Sequence, residues 1–310
     1  TIKLDGNYPT GTDNVALGDT ALDSLTSGNY NTAIGADALT AKTSGGVNTA
    51  IGWKALELGG AGDYNVGLGS KALQNNTNNY NTAVGTQSLQ ANTTAANNTA
   101  VGYRSLNTNT TGTSNTALGK DSLKANTTAN ENVAIGQNAM AVNTTGTSNV
   151  AVGQAALDAN TTASNNTAVG KSALGANTAS NNTAVGKDAL LSNTSGESLT
   201  AIGKSALDAN TSANYNTAVG GVALTTNTTG CENTALGYAT LNLNLTGDKS
   251  VAVGYASLNK NTANNNTAVG HSSLACNTSG TANIAVGSLA LASNTTASYN
   301  TAVGYNSLKT

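Results

Sequence analysis

The chain has 310 residues, of which 9% are charged and 38% hydrophobic, with a net charge of −2, no phenylalanine, one tryptophan and one proline. So little charge excludes the electrostatic footprint that duplex nucleic acid or an anionic membrane surface demands. The length alone would suit two globular domains, but the unbroken register of the repeat described below argues for one elongated body, and no apolar run is long enough for membrane insertion.

The first 13 residues stand apart. They hold the sole proline, Pro9, and an alternating Ile2-Lys3-Leu4 stretch, and residues 1–13 read as an N-terminal cap or attachment strand, because a solenoid needs its ends covered. The chain opens at Thr1 and its one methionine is Met140, as expected of a processed product or a portion of a longer one. From Asn14 to Gly18 onward, the motif Asn-Thr-Ala-Val-Gly and its close variants recur as far as Asn300 to Gly304. The spacing is 17 residues and falls to 16 in the three copies that start at Asn65, Asn166 and Ser250. Eighteen copies, the last incomplete, occupy residues 14–310 as N-T-A-V-G-x-x-A-L-x-x-N-T-T-G-x-x.

Each column of the repeat has a physical reading. The second takes only Thr, Val or Ile (Thr32, Val66, Ile284) and the fourth only Val, Ile or Leu (Val84, Ile51, Leu118). β-branched residues alternating up to a glycine predict a strand whose second and fourth columns face inward together. The third column should then face out, yet it is Ala in every copy except Gly67. A wet strand position would drift through Lys, Thr and Glu, so the expectation is that a neighbouring chain or a fold-back covers it. Column five is always Gly (Gly18 through Gly304), which predicts a corner closed to a Cβ. Column eight is Ala, Ser or Thr and column nine is Leu in every copy but one, where it is Met140; together they predict a second short strand or bend. Columns twelve to fifteen, such as Asn92-Thr93-Thr94-Ala95, have turn composition and predict an outer loop that absorbs the one-residue deletions. Seventeen residues cannot supply a helical hairpin. The expected fold is all-β: a parallel β-roll or β-solenoid with one repeat per coil, on the order of 80 Å long at about 4.8 Å per rung. A thin core and the alanine column together predict a homotrimeric fibre, with a monomeric solenoid as the alternative.

Chemistry is sparse. Cations gather in columns six and seven (Lys54, Arg104, Lys120, Lys171, Lys187, Lys204) beside Asp37, Asp121 and Asp188, and read as a solvated edge that discourages lateral association. Aromatics share column six: Trp53, Tyr103, Tyr238, Tyr255 and Tyr305, with His271. That row suits carbohydrate stacking or partner contact, although Tyr also covers a thin core with its hydroxyl wet. His271 is the sole histidine and has no second ligand beside it, so no metal is expected. Cys231 and Cys276 lie in different columns three copies apart, too far for a disulfide. Gly59 to Asp63 lacks the lysine of a phosphate loop, and no catalytic constellation is visible, so neither an enzyme nor a cofactor is expected. Asn-x-Thr triplets such as Asn92-Thr93-Thr94 arise from the repeat itself.

Units such as Asn98-Thr-Ala-Val-Gly-Tyr-Arg-Ser-Leu106 through Gly112 resemble the NTAVGYxAL…NTTG repeats of bacteriophage tail-fibre and related surface-fibre proteins, and Ser250-Val-Ala-Val-Gly254 is similar to the shorter repeats of YadA-like trimeric autotransporter heads. The resemblance covers about 95% of the chain. It implies a three-chain parallel β-roll that projects a receptor-binding tip or itself adheres to a host-surface glycan, on a virion tail fibre. A bacterial trimeric adhesin head or extracellular filament at the cell surface is the alternative. Many such fibres carry a C-terminal trimerising chaperone; here the sequence stops inside a coil at Lys309-Thr310, which suggests a further domain or partner. Ice binding is a more remote reading, opposed by the expectation that the regular Thr column is buried.

Overall fold

The structure, a computed structural model, describes residues 11–60 and 62–309. Among these residues are eighteen strands, one per copy of the repeat and three residues long, and no helix. The chain is a parallel β-solenoid with one repeat per coil. It divides into two compact units, the chain passing from one to the other between Ala155 and Ala156. The first holds the strands from Val15–Leu17 to Val150–Val152, the second those from Thr167–Val169 to Thr301–Val303.

Register is the same throughout each unit. In the first, Thr99 pairs with Thr116, Ala100 with Ala117 and Val101 with Leu118; in the second, Thr217, Ala218 and Val219 pair with Thr234, Ala235 and Leu236. Hydrogen bonds between coils continue beyond the strand. Arg104 N–H donates to Thr86 at 3.1 Å, Leu106 N–H to Ser122 at 3.0 Å and Thr110 N–H to Thr127 at 2.9 Å, so most of the circumference is laddered although only three residues per coil are strand.

The glycine of column five sits where a corner and a close approach coincide. Gly102 has φ +130°, and a Cβ there would lie 2.6 Å from the Gly119 carbonyl oxygen of the next coil. Columns seven, nine and seventeen turn through the left-handed region without glycine: in one coil, Arg104 has φ 54°, Leu106 48° and Ser114 59°. A left-handed leucine is strained by about 1–3 kcal/mol. Leu106 recovers that through complete burial, worth about 1.5–3 kcal/mol, and through its backbone bond to Ser122. Columns eight and nine therefore form a bend and no second strand.

The strand is turned the other way from the sequence expectation. Ala100, Ala117, Ala201 and Ala218 are fully buried, whereas the flanking columns two and four are half-buried or exposed, as at Thr99 and Leu118. Alanine is enclosed by its own chain, so no neighbouring chain is needed to explain it. Gly67 gauges the space: a Cβ there would lie 3.5 Å from Leu56 Cδ1 and Cγ and 3.2 Å from the Ala72 carbonyl oxygen. One methyl fills that gap and a larger side chain would not fit.

Asparagine completes the core. Column twelve, expected in the outer loop, is fully buried at Asn92, Asn109 and Asn126, and column one likewise at Asn98 and Asn115. Asn109 Nδ2 donates to Asn92 Oδ1 at 2.8 Å and to the Gly112 carbonyl at 2.9 Å. In the second unit Asn210 donates to Asn193 Oδ1 at 2.8 Å and to the Ala213 carbonyl at 3.2 Å. Column one runs a second ladder, in which Asn98 Oδ1 accepts both the backbone N–H of Asn115 at 2.9 Å and its Nδ2 at 3.2 Å. These buried amides thus find partners along the axis, which removes the usual cost of burying one. The 16-residue coils keep the ladder: Asn76, Asn177 and Asn261 reach the carbonyls of Asn78, Ala179 and Ala263, two residues on, where the longer coils reach three. The missing residue is that of column fourteen, in the exposed part of the turn, as expected.

Residues 1–10 of the expected N-terminal cap lie outside the described residues. Thr12 already behaves as part of a coil, with its N–H donating to Asn29 Oδ1 at 2.8 Å and its carbonyl accepting from Tyr30 N–H at 3.2 Å.

Candidate binding surfaces

Column six leaves the sheet directly after the glycine corner, so its side chains project from an edge of the solenoid. Trp53, Tyr103, Tyr238, Tyr255, His271 and Tyr305 are all exposed there. They do not form one row. In the first unit, Trp53 has two ammonium groups over its ring, Lys54 Nζ at 5.5 Å and Lys71 Nζ at 5.1 Å from the ring centroid. Tyr103 lies under the Arg104 guanidinium at 5.6 Å, and Arg104 also meets Asp121 at 3.5 Å. Lys54 is further held by Glu57, whose hydrogen bond is the main cause raising the lysine's pKa. These cations occupy the approaches to both rings.

In the second unit three of the six come together. Tyr238 stacks on Tyr255 with centroids 5.6 Å apart and planes 16° apart, and Tyr255 stacks on His271 at 5.2 Å and 8°. Stacking covers both faces of Tyr255 and leaves its edge to solvent, so a sugar can lie flat only at an end of the stack. The next rung beyond Tyr238 is Gly221, which has no side chain; a Cβ there would touch Tyr238 Cδ2 at 3.4 Å. Tyr305 lies two rungs past His271, separated by Ser288.

Column seventeen holds a second set of tyrosines, outside the column-six row expected from the sequence: Tyr30, Tyr64, Tyr80, Tyr215 and Tyr299, all exposed. Tyr64 and Tyr80 stack at 5.3 Å with planes 7° apart. Five of the ten tyrosines falling in one column was the available signal.

The remaining surface is the outer face of the strands. Columns two and four carry no charged residue in any copy. In the first unit Val15, Ile51 and Leu118 are 52%, 40% and 46% exposed, and in the second Ile202, Ile284 and Val286 are exposed among half-buried neighbours. The column-two threonines, Thr82 and Thr99 or Thr200 and Thr217, make no side-chain hydrogen bond within the described chain.

Among the described residues no group of three His, Cys, Asp or Glu side chains is placed to hold a metal ion, and Cys231 and Cys276 are free thiols. Asn92 and its column equivalents from Asn76 to Asn277 are buried, so the folded chain closes the Asn92-Thr93-Thr94 type of glycosylation triplet in those coils. No family model matches the chain, and comparison with curated proteins and with solved structures finds no similar one.

Proposed function

We propose that the chain is a structural and adhesive fibre shaft of the phage tail-fibre type, assembled as a homotrimer and contributing to binding of a host-surface glycan. The observation that carries this reading is the outer face of the strands. In each unit it is a regular field of Val, Ile, Leu and Thr with no charge in any rung. Solvent-facing sheets ordinarily carry charges that prevent association, and a contiguous uncharged apolar face marks an interaction surface. Identical chains offer a partner with the same rung spacing, so every coil can repeat the same contact. A bacterial trimeric adhesin head or extracellular filament would use the face in the same way.

The test is native mass by light scattering joined to small-angle X-ray scattering. A particle near three times the chain mass is expected; a monomer overturns the assembly.

One observation favours a second reading. Column two turns its threonines outward with unbonded hydroxyls, which removes the objection to an ice-binding solenoid. That reading requires the face to be bare, so it predicts a monomer that shows thermal hysteresis.

A further inference from the structure

The second unit carries, on consecutive rungs of column six, Lys171, Lys187, Lys204, Gly221, Tyr238, Tyr255 and His271. Rungs of a parallel ladder are about 4.8 Å apart. Three lysines therefore occupy successive rungs in line and, among the described residues and apart from Lys187 with Asp188 at 3.2 Å, none has a carboxylate within ion-pair distance. Like charges held opposite one another destabilise a sheet. In the first unit, by contrast, Lys54 and Arg104 meet carboxylates and rings. Directly after the lysines comes the one glycine of column six, and after it a tyrosine whose ring is backed by two more. The result is a notch about 10 Å wide between Lys204 and Tyr238, with an ammonium group on one side and an uncovered, rigid aromatic face on the other.

We propose that this notch binds a carboxylated pyranose of a linear acidic polysaccharide. The sugar's C–H face lies on Tyr238, its carboxylate pairs with Lys204, and the next carboxylates along the chain pair with Lys187 and Lys171. Gly221 supplies the space: any side chain on that rung would stand against the ring. The stack behind Tyr238 keeps the ring upright at no cost on binding. The lysines give attraction and direction, and the aromatic face gives the preference for a sugar over a simple polyanion. This rests on the glycan-binding half of the function proposed above and is independent of its assembly half.

The experiment is titration calorimetry on the full chain with hexamers of galacturonate, mannuronate and sialate. A neutral glucose hexamer, inorganic polyphosphate and oligo-deoxythymidine serve as comparison probes. At least one acidic hexamer is expected to bind in preference to all three comparison probes. Gly221→Gln, which places in the notch a side chain that column six already carries at Gln137 and Gln154, is expected to weaken that binding at least tenfold. Lys204→Gln should weaken it several-fold. Both variants should keep the parent's native mass and thermal transition; Tyr238→Ser provides a second disruption of the platform should Gly221→Gln alter either. Failure of every acidic hexamer to bind overturns the proposal, as does equal binding of polyphosphate or deoxythymidine, or binding that survives both Gly221→Gln and Tyr238→Ser. A monomer that binds the acid sugar overturns the trimer alone, and a trimer that binds none overturns the notch alone.

Discussion

The ε-amino group of Lys42 donates to the carbonyl oxygen of Gly62 at 2.5 Å from a fully buried position. Lys42 occupies column twelve of its coil, where later coils have asparagine, and column twelve of the next coil is Gly59. In later coils the column-twelve amide bonds the column-fifteen carbonyl of its own coil, as Asn92 does with Ala95 at 3.0 Å. Gly59 has no side-chain amide, and the lysine of the preceding coil crosses over to supply the second donor to a carbonyl that otherwise accepts only from the column-one amide of Asn48. Lys42→Asn alone should leave that carbonyl with the Asn48 amide, at 3.0 Å, as its one remaining side-chain donor and leave the space empty, and Gly59→Asn alone should collide with the lysine chain. The double variant restores two regular rungs, although the new Cβ must move a few tenths of an ångström from its 2.8 Å approach to the Leu56 carbonyl. The expected outcome is two destabilised single variants and a double variant more stable than their sum by about 1–3 kcal/mol, read from thermal midpoints.

Burial lowers the Lys42 pKa from 10.5 to about 8, with the charge of Asp63 acting in the opposite direction. Between those values the unfolded chain binds more protons than the folded one, so stability should rise as pH climbs from about 8 toward 10.5. Lys42→Asn should abolish that rise. A pH-independent difference between the two proteins over this range would show that the buried amine is not protonated differently in the two states.

How much of this was legible in the sequence depends on the column. Gly102 as a corner, the strand at Thr99–Val101 and the deletion in the turn followed directly from recurrence. Which face of the strand is inward did not, because period-two alternation defines two faces without saying which is inside, and Thr, Val and Ile suit either. The deciding feature was size: between Leu56 and the strand there is room for a single methyl, so the smallest column is the interior one. Asn109 was read as a turn residue for the same kind of reason. Its partner, Asn92, is a neighbour along the axis and not along the local sequence, and a lone asparagine looks polar until it is stacked on its copies. Of the six column-six residues, only Tyr238, Tyr255 and His271 fall on adjacent rungs, which the 17-residue period already implied.

Column ten offers a second titration with the opposite sign. Asn107, Asn242 and Asn259 donate to the column-seven carbonyls of Gln87, Val222 and Ala239 at 2.8, 2.9 and 3.0 Å. Asp208 occupies the same column and has no amide to donate. Burial raises its pKa above 3.8, and the charge of Asp188 adds to the shift. A carboxyl with a raised folded-state pKa favours folding at acid pH, and that contribution is lost as pH rises through the folded value. Asp208→Asn should therefore stabilise the chain by about 1 kcal/mol at neutral pH, with the gain vanishing below about pH 4. Asp158, raised by burial alone, should respond in the same direction.

Leu106 combines full burial with φ 48°. Met140 shows that an unbranched side chain is accepted in the same column at φ 50°. Leu106→Met should cost less than about 1.5 kcal/mol. Leu106→Val removes less volume than Leu106→Ala, but a β-branched residue is poorly suited to the left-handed region. Its cost should approach the roughly 2–5 kcal/mol of the alanine variant. If valine proves as mild as methionine in thermal unfolding, backbone strain at this column is unimportant.

The orientation of the strand changes which substitution reports on assembly. Ala100 is enclosed by its own chain, so Ala100→Lys should disrupt the solenoid whether or not chains associate, and it cannot distinguish a trimer from a monomer. Leu118, 46% exposed on the outer face, is the informative site. A lysine there can reach water in the isolated chain but would be buried without a partner between chains, and three copies would bring like charges together. Leu118→Lys should thus retain the β-sheet circular dichroism of the parent while its native mass falls toward that of one chain. A Leu118→Lys protein that keeps the parent's mass would mean that this part of the outer face is not where the chains meet.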